Sequence, residues 1–265
     1  MGILYIVGTP IGNLEDISLR AIETLKEVQY ILAEDTRVTS KLLKKYDINT
    51  KTKSYYKDIE NKKKDEIIND LKNGKNIALV SDAGMPTISD PGAIIVNEAI
   101  KENIKIITIP GANAALTAYA SSGFLGGKFI FYGFMKNINE LQDIMYNRYP
   151  TILYESPNRI KNVLEKINEI DDKRNLVLGR ELTKIYEEYY YGTASKILEE
   201  VNEKGEMVLI IDGAQELDLK DDNISFKDVY EFYLRKGLSK KDIIKSISKD
   251  FNIPKNEVYK EFTND

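Results

Sequence analysis

Short apolar runs alternate with helical spacing along the first half of this chain, and that alternation narrows the fold more than any other feature. Ile3-Leu4-Tyr5-Ile6-Val7, Tyr30-Ile31-Leu32-Ala33, a short stretch near Thr52 to Tyr55, Asn76-Ile77-Ala78-Leu79-Val80 and Ile104-Lys105-Ile106-Ile107-Thr108-Ile109 read as strands. Between them, a helix is expected from about Ser18 to Val28, with Leu19, Ile22, Leu25 and Val28 on one face. Another follows Arg37, with Leu42 and Leu43 inward, and a polar one covers roughly Glu60 to Lys72. Strand and helix repeated in this way imply a mainly parallel sheet.

In open α/β sheets, ligands bind beside the carboxyl ends of the strands. The segment Ser81-Asp82-Ala83-Gly84-Met85-Pro86-Thr87-Ile88-Ser89-Asp90-Pro91-Gly92 lies between one such strand and a helix in which Ala93, Ile94, Val96, Ala99 and Ile100 recur at helical spacing. Gly84 and Gly92 let backbone approach a ligand, and Ser81 and Asp82 offer polar groups to fix it. Ser81 to Gly84 therefore point to a ligand loop. Asp90 followed by Pro91 reads as an N-cap and a first-turn proline, which explains both without a ligand. Pro110-Gly111-Ala112-Asn113-Ala114-Ala115 opens a helix whose slim first turn suits either a ligand or close packing on the sheet. Gly8-Thr9-Pro10-Ile11-Gly12-Asn13 is not a dinucleotide fingerprint, because proline takes the middle glycine's place. Glu34-Asp35-Thr36-Arg37, at another strand's carboxyl end, are either site residues or a helix cap with its salt bridge.

Gly123 to Lys128 is the expected linker to a second α/β domain. Its strands are Phe129 to Gly133, Thr151 to Glu155, Asn175 to Arg180 and Gly205 to Ile211, with helices near Ile138 to Tyr149, Arg159 to Ile170 and Ala194 to Asn202. Charged groups gather at strand ends: Glu155 with Arg159, Arg180 with Glu181, and Glu187 with Glu188. Asp212 to Asp222 reads as an acidic linker. Small helices follow: Phe226 to Arg235, a stop at Gly237, a capping-box variant at Ser239 to Asp242, and a last helix from Pro254. That tail is either a helix-turn-helix-like module or a helical cap on the core, and the pattern favours the cap. The expected division is 1–122, 123–216 and 217–265.

The 265 residues contain no cysteine and no histidine, which excludes disulfides, thiol nucleophiles, Cys/His zinc sites and histidine bases together. Any chemistry must use carboxylates, lysine, tyrosine, hydroxyls or a bound cofactor. No apolar run approaches the roughly 18 residues a membrane span needs, and no basic leader opens the chain, so a cytoplasmic protein is expected. Net charge is −4, yet Arg37 to Lys64 holds ten positive residues against three negative, a local excess of +7. Such a stretch meets phosphates or is simply a lysine-rich exposed face.

Several stretches, taken in order, resemble one family closely. They are Thr9-Pro10-Ile11-Gly12-Asn13-Leu14, Ala33-Glu34-Asp35-Thr36-Arg37, Ser81-Asp82-Ala83-Gly84, Ser89-Asp90-Pro91-Gly92, Tyr154-Glu155-Ser156-Pro157, Arg180-Glu181-Leu182-Thr183-Lys184 and Gly205-Glu206-Met207-Val208-Leu209. With Gly237 to Asp242 they are similar to the ribosomal RNA small subunit methyltransferase I family, a branch of the tetrapyrrole methylase superfamily. The resemblance implies two α/β domains with an interdomain cofactor cleft, a small C-terminal helical module and a homodimer. It implies methyl transfer from S-adenosylmethionine to the ribose 2′-hydroxyl of a cytidine in the decoding region of 16S rRNA in the small ribosomal subunit. The cofactor would lie against Pro10, Ser81, Asp82, Ala83, Gly84, Met85, Ile88, Pro110, Gly111, Asn113 and Ala114, closed over by Tyr154, Glu155, Met207 and Val208. No metal is expected. The pattern departs from the family's at Gly8, where proline is common, and at Met85, where threonine is common.

A ribose hydroxyl is a weak nucleophile and benefits from a general base. Without histidine, that base is a carboxylate, a lysine or water. Glu155, Glu181 and Asp35 are the candidates, with Arg180 or Arg37 positioning phosphate or substrate. Two other readings compete: a methylase of tetrapyrrole-type small molecules, and a non-catalytic ribosome-assembly protein that binds RNA.

Overall fold

The computed structural model describes residues 1–214, 226–235, 238–251 and 253–262. In chain order the first half runs β1 (Ile3–Val7), α1 (Leu19–Glu27), β2 (Tyr30–Ala33), α2 (Thr36–Lys45), β3 (Thr52–Ser54), α3 (Glu60–Lys72), β4 (Ile77–Val80), α4 (Ala93–Lys101), β5 (Lys105–Ile109) and α5 (Ala114–Ala120). The five strands form one parallel sheet in the order β3-β2-β4-β1-β5. Side chains alternate across it, as the strand period requires. Leu4, Ile6, Leu32, Ile77 and Leu79 pack under α3 and α4, with Ile67, Leu71, Ile95 and Ala99. Val7, Ile31, Ala33, Ala78 and Val80 pack under α1 and α2, with Ala21, Leu25, Leu42 and Leu43. Both faces are buried, so the central strands carry no polar side.

The second half runs β6 (Ile130–Phe134), α6 (Leu141–Ile144), β7 (Thr151–Glu155), α7 (Pro157–Ile170), β8 (Leu176–Arg180), β9 (Glu188–Gly192), α8 (Ala194–Glu200) and β10 (Met207–Ile211). Its sheet order is β6-β7-β10-β8-β9. Only β6 and β7 are parallel; β10 runs antiparallel to both β7 and β8, and β8 to β9. The regular strand-and-helix spacing hides this mixed sheet, and of β9 only the charged pair Glu187-Glu188 stands out in the sequence. Between β8 and β9 no helix intervenes, and left-handed backbone at Glu181 (φ 49°) and Thr183 (φ 66°) turns the chain back into an antiparallel partner. The expected helix near Ile138 to Tyr149 shrinks to a 3-10 turn at Ile138–Glu140 and the single turn α6.

One face of the second sheet is covered by α6, α7 and α8 through Leu141, Ile160, Leu164, Ile167 and Ile197. The other face meets the first half. Ala115 and Ala118 of α5 pack with Ile11 and Leu182 against Ile152, Val177, Val208 and Ile210. Small residues on α5 let the sheet come close, so the slim helix start does serve packing.

In the tail, α9 (Phe226–Arg235), α10 (Lys240–Asp250) and α11 (Lys255–Glu261) gather Val229, Ile243, Ile244, Ile247 and Val258 into a separate cluster. Among the described residues these apolar faces close on one another rather than on the sheets, which corrects the helical-cap expectation. Ser239 caps α10 by accepting from the Asp242 N–H. Most of the acidic stretch from Asp212 to Asp222, and the stop at Gly237, lie outside the described residues.

Candidate active site

The carboxyl ends of β1, β2, β4 and β5 open toward β6, β7 and β10, and a cavity of about 460 Å³ lies between them. Its floor is the loop after β4. Thr9 and Gly84 exchange backbone hydrogen bonds (2.8 and 3.1 Å), which ties the loops after β1 and β4 together. Ser81 is buried, its hydroxyl within 3.3 Å of the Ala83 and Gly84 carbonyls, so it shapes the loop from behind. Gly8 and Gly111 pack backbone to backbone: a Cβ on Gly111 would lie 2.8 Å from Gly8 Cα. A Cβ on Gly8 would lie 2.6 Å from the Met85 sulfur.

The segment from Met85 to Gly92 departs from expectation. Helix α4 begins at Ala93 with Gly92 as its N-cap and no side-chain cap. Thr87 (φ 74°), Ser89 (φ 67°) and Gly92 (φ 132°) all take the left-handed region. For Thr87 and Ser89 such backbone costs about 1–3 kcal/mol each and persists only where surroundings enforce it. The enforcing contact is Glu60, buried on α3, whose Oε1 accepts the Gly92 N–H at 2.8 Å. Rerouted in this way, Asp90 does not cap the helix; it lines the cavity.

Of the residues the resemblance assigns to the cofactor, Asp82, Ala83, Gly84, Met85, Ile88, Asn113, Ala114, Tyr154, Glu155, Met207 and Val208 do line this cavity. Pro10, Ser81, Pro110 and Gly111 are not among its lining residues. Reasoning from sequence missed Asp90, Ser89, Phe134, Leu182, Glu206 and the role of Glu34. Tyr154 meets Phe131 and Phe134 edge-on, with centroids 5.2 and 5.4 Å apart, forming an aromatic corner at the mouth.

The five proposed catalytic groups separate clearly. Glu155 is buried at the cavity wall; its Oε1 accepts the Ser156 N–H (2.7 Å) and faces Arg159 (3.4 Å), while Oε2 has no hydrogen-bond partner. Asp35 caps α2 and pairs with Arg37 at 2.6 Å, outside the lining. The Arg37 hydrogen bonds hold its carboxyl down to about 2, which makes it a poor base. Glu181 pairs with Lys184 (2.8 Å) and accepts the Glu206 N–H, and both contacts lower its pKa. Arg180 is buried beneath the β8–β9 turn, donating to the Tyr186 carbonyl at 3.1 Å and facing Glu188. Asp35, Arg37, Glu181 and Arg180 thus make local ion pairs and hydrogen bonds outside the cavity lining, and of the five only Glu155 reaches it.

The cavity's ionisable lining is Glu34, Asp82, Asp90, Glu155, Glu206 and Tyr154, with no lysine or arginine. Burial raises Glu34, and the Asp82 charge adds to it. Burial and the Glu34 charge push Asp90 up to about 6 against the restraining Ser81 hydroxyl. A half-buried site of this sign suits a cationic ligand. S-adenosylmethionine, with its sulfonium and ammonium, has the charge that field suits, and Met207, Val208, Ile88 and the aromatic corner give the cavity an apolar side as well. Among the described residues no cluster suited to a metal ion occurs, and no helix is long and apolar enough to cross a membrane.

Residues 3–198 match the family of Tetrapyrrole (Corrin/Porphyrin) Methylases. A ribosomal RNA small subunit methyltransferase I from Bacillus subtilis (strain 168) is 45% identical over 272 residues, covering 98% of this chain and 93% of that protein. Among solved structures, a diphthine synthase superposes with a TM-score of 0.62 at 15% identity, covering 80% of this chain and 90% of its own. A uroporphyrin-III C-methyl transferase from Thermus thermophilus, complexed with S-adenyl homocysteine, does so with a TM-score of 0.58 at 15% identity, covering 79% of this chain and 97% of its own. These two likenesses concern the fold. The extent of the family match and the near full-length identity together establish that this chain belongs to the tetrapyrrole methylase family and, within it, to the ribosomal RNA small subunit methyltransferase I group.

Proposed function

We propose that this protein transfers the methyl group of S-adenosylmethionine to small-subunit rRNA, at the ribose 2′-hydroxyl of a cytidine in the decoding region of 16S rRNA. The observation that carries the reading is the acid-lined cavity between the two sheets in a chain 45% identical to an rRNA small subunit methyltransferase I. When bound, the sulfonium supplies an already activated methyl group. The chain's part is to align a hydroxyl with it, exclude water and accept a proton.

The basic stretch supports a polyanionic substrate. Lys41, Lys44 and Lys45 on α2, with Lys57 and Lys62, are exposed and form no ion pair among the described residues. An open groove beside α2 joins Lys45 to Tyr186, which is 72% exposed on the β8–β9 turn. A lysine beside an exposed ring suits phosphate contact and base stacking. A homodimer in the cytoplasm belongs to the same reading.

The test is transfer of labelled methyl to small ribosomal subunits from cells lacking this protein, with naked rRNA and a porphyrin precursor in parallel. Label recovered in 2′-O-methylcytidine from the subunits is the expected result. Label only in the porphyrin precursor would replace the reading with small-molecule methylation, and tight subunit binding without label would favour an assembly factor.

A further inference from the structure

Five carboxylates line the cavity, and their surroundings distinguish them. Glu206 is largely exposed and pairs with Lys184 at 3.0 Å. Asp82 Oδ1 accepts the Asp35 N–H at 2.9 Å. Glu155 has one oxygen bound to the Ser156 N–H and stands beside Arg159. Asp82 also lies within the field of the Arg37 guanidinium, so only Glu34 and Asp90 lack a cationic neighbour among the described residues. Asp90 is the one held on strained backbone: left-handed Thr87 and Ser89 precede it, and Gly92 is pinned to the buried Glu60. A Cβ at Gly92 would meet Leu79 Cδ2 at 2.5 Å, so the loop sits hard against the sheet.

Backbone strain of this kind needs a compensating role, and a rigid carboxylate in a cavity is one. The groups facing it are Glu34 after β2, Asp82 after β4, the Ser81 hydroxyl and Tyr154 on β7. Two are carboxylates, two are neutral hydroxyls, and none is basic. A carboxylate so placed holds a proton more readily than an exposed one, which is what a base for an alcohol requires.

We propose that Asp90 accepts the proton of the hydroxyl that attacks the methyl group, an inference that rests on the methyl-transfer function above. The hydroxyl oxygen forms its bond to the methyl carbon as the carbon–sulfur bond breaks, its electron pair remaining on sulfur. The O–H proton passes to the Asp90 carboxylate and from there to solvent. Asp90 thus touches the reacting atoms. Glu60, which acts through Gly92, is a positioning residue.

The experiment compares the wild type with Asp90→Asn and Glu34→Gln, using small ribosomal subunits as substrate from pH 5 to 9. Calorimetry measures S-adenosylmethionine binding, and carboxyl NMR titration follows the free proteins. Wild type should lose activity as pH falls through about 6. Asp90→Asn should lower kcat by about 100-fold or more, as loss of a general base does, and weaken cofactor binding far less than that, because four other carboxylates still line the cavity. It should also remove the carboxyl that titrates near 6. Glu34→Gln, which deletes the charge that adds to burial in raising Asp90, should move the acidic limb to lower pH.

Near-wild-type turnover in Asp90→Asn would overturn the proposal. So would a parallel collapse of cofactor binding, which would make Asp90 a ligand for the cofactor's cationic groups. An acidic limb unmoved by Glu34→Gln overturns it even where Asp90→Asn folds poorly. A wild type that binds cofactor but methylates no subunit would instead overturn the function itself, and the proposal with it.

Discussion

The carboxylate of Glu60, at the start of α3, accepts the backbone N–H of Gly92 at 2.8 Å and so helps set the path of the loop that carries Asp90. Both partners are buried. Removing the acceptor strands a buried donor, which costs about 1–3 kcal/mol. Glu60→Ala should therefore lower the denaturation midpoint and weaken binding at the cavity, whereas Glu60→Gln, which keeps an acceptor oxygen, should recover most of both. Chemical denaturation and calorimetry with S-adenosylmethionine check the pair.

Glu155 carries a buried oxygen that the protein leaves without a donor. A ligand hydroxyl or ammonium would complete it, and a hydrogen bond to a charged group contributes about 1.5–3 kcal/mol. Glu155→Gln should thus weaken S-adenosylmethionine binding about ten- to a hundredfold with little loss of fold stability. Unchanged affinity would mean that this oxygen faces no ligand group.

The stability of the free protein should carry the mark of Asp90. Its folded pKa stands near 6 against an unfolded value of 3.8, so the native state binds more protons between those two values. Stability then falls as pH rises from about 4 to 6, and levels above that. Asp90→Asn removes this dependence. It should be more stable than the wild type by about 1–2 kcal/mol at pH 7 to 8, solvent screening of the half-buried carboxyl reducing the full effect, with the gap closing toward pH 4. Thermal melts across that range show the sign directly.

The three atoms nearest a Cβ on Gly111 would all be backbone: Gly8 C and Cα at 2.8 Å and Gly8 O at 2.9 Å. Backbone cannot swing aside as a side-chain end can. Gly111→Ala should cost about 1–3 kcal/mol, as overpacking does, and should separate the loops after β1 and β5. A denaturant midpoint unchanged from the wild type would contradict this.

Lys44, Lys45 and Tyr186 lie outside the cavity and should act on the RNA alone. Replacing both lysines by alanine should weaken subunit binding and lower its salt dependence by about one unit for each phosphate that is no longer neutralised. Tyr186→Ala should weaken binding with no change in that slope. Cofactor affinity should be unaffected in either variant.

The parallel sheet was legible because its evidence is local. Apolar runs such as Ile77 to Val80 and flanking segments at helical spacing report burial on two faces wherever the chain later travels. The loop from Ser81 to Gly84 stood out for the same reason, since its turn residues exceed what one turn needs, and Asp82, Ala83 and Gly84 do line the cavity. What stayed hidden depends on partners distant in sequence. Asp90-Pro91 has the local chemistry of a helix start, yet Glu60, some 30 residues earlier, takes the Gly92 N–H and turns Asp90 into the cavity. Glu34 and Asp35 look interchangeable in sequence; the cap of α2 claims one and leaves the other to the site. Strand β9 and the mixed second sheet were invisible because strand direction is set by pairing, not by spacing. Local propensity thus determined which elements form, while tertiary contacts decided which carboxylate each loop delivers to the cavity, because a buried N–H takes whatever acceptor the fold brings to it.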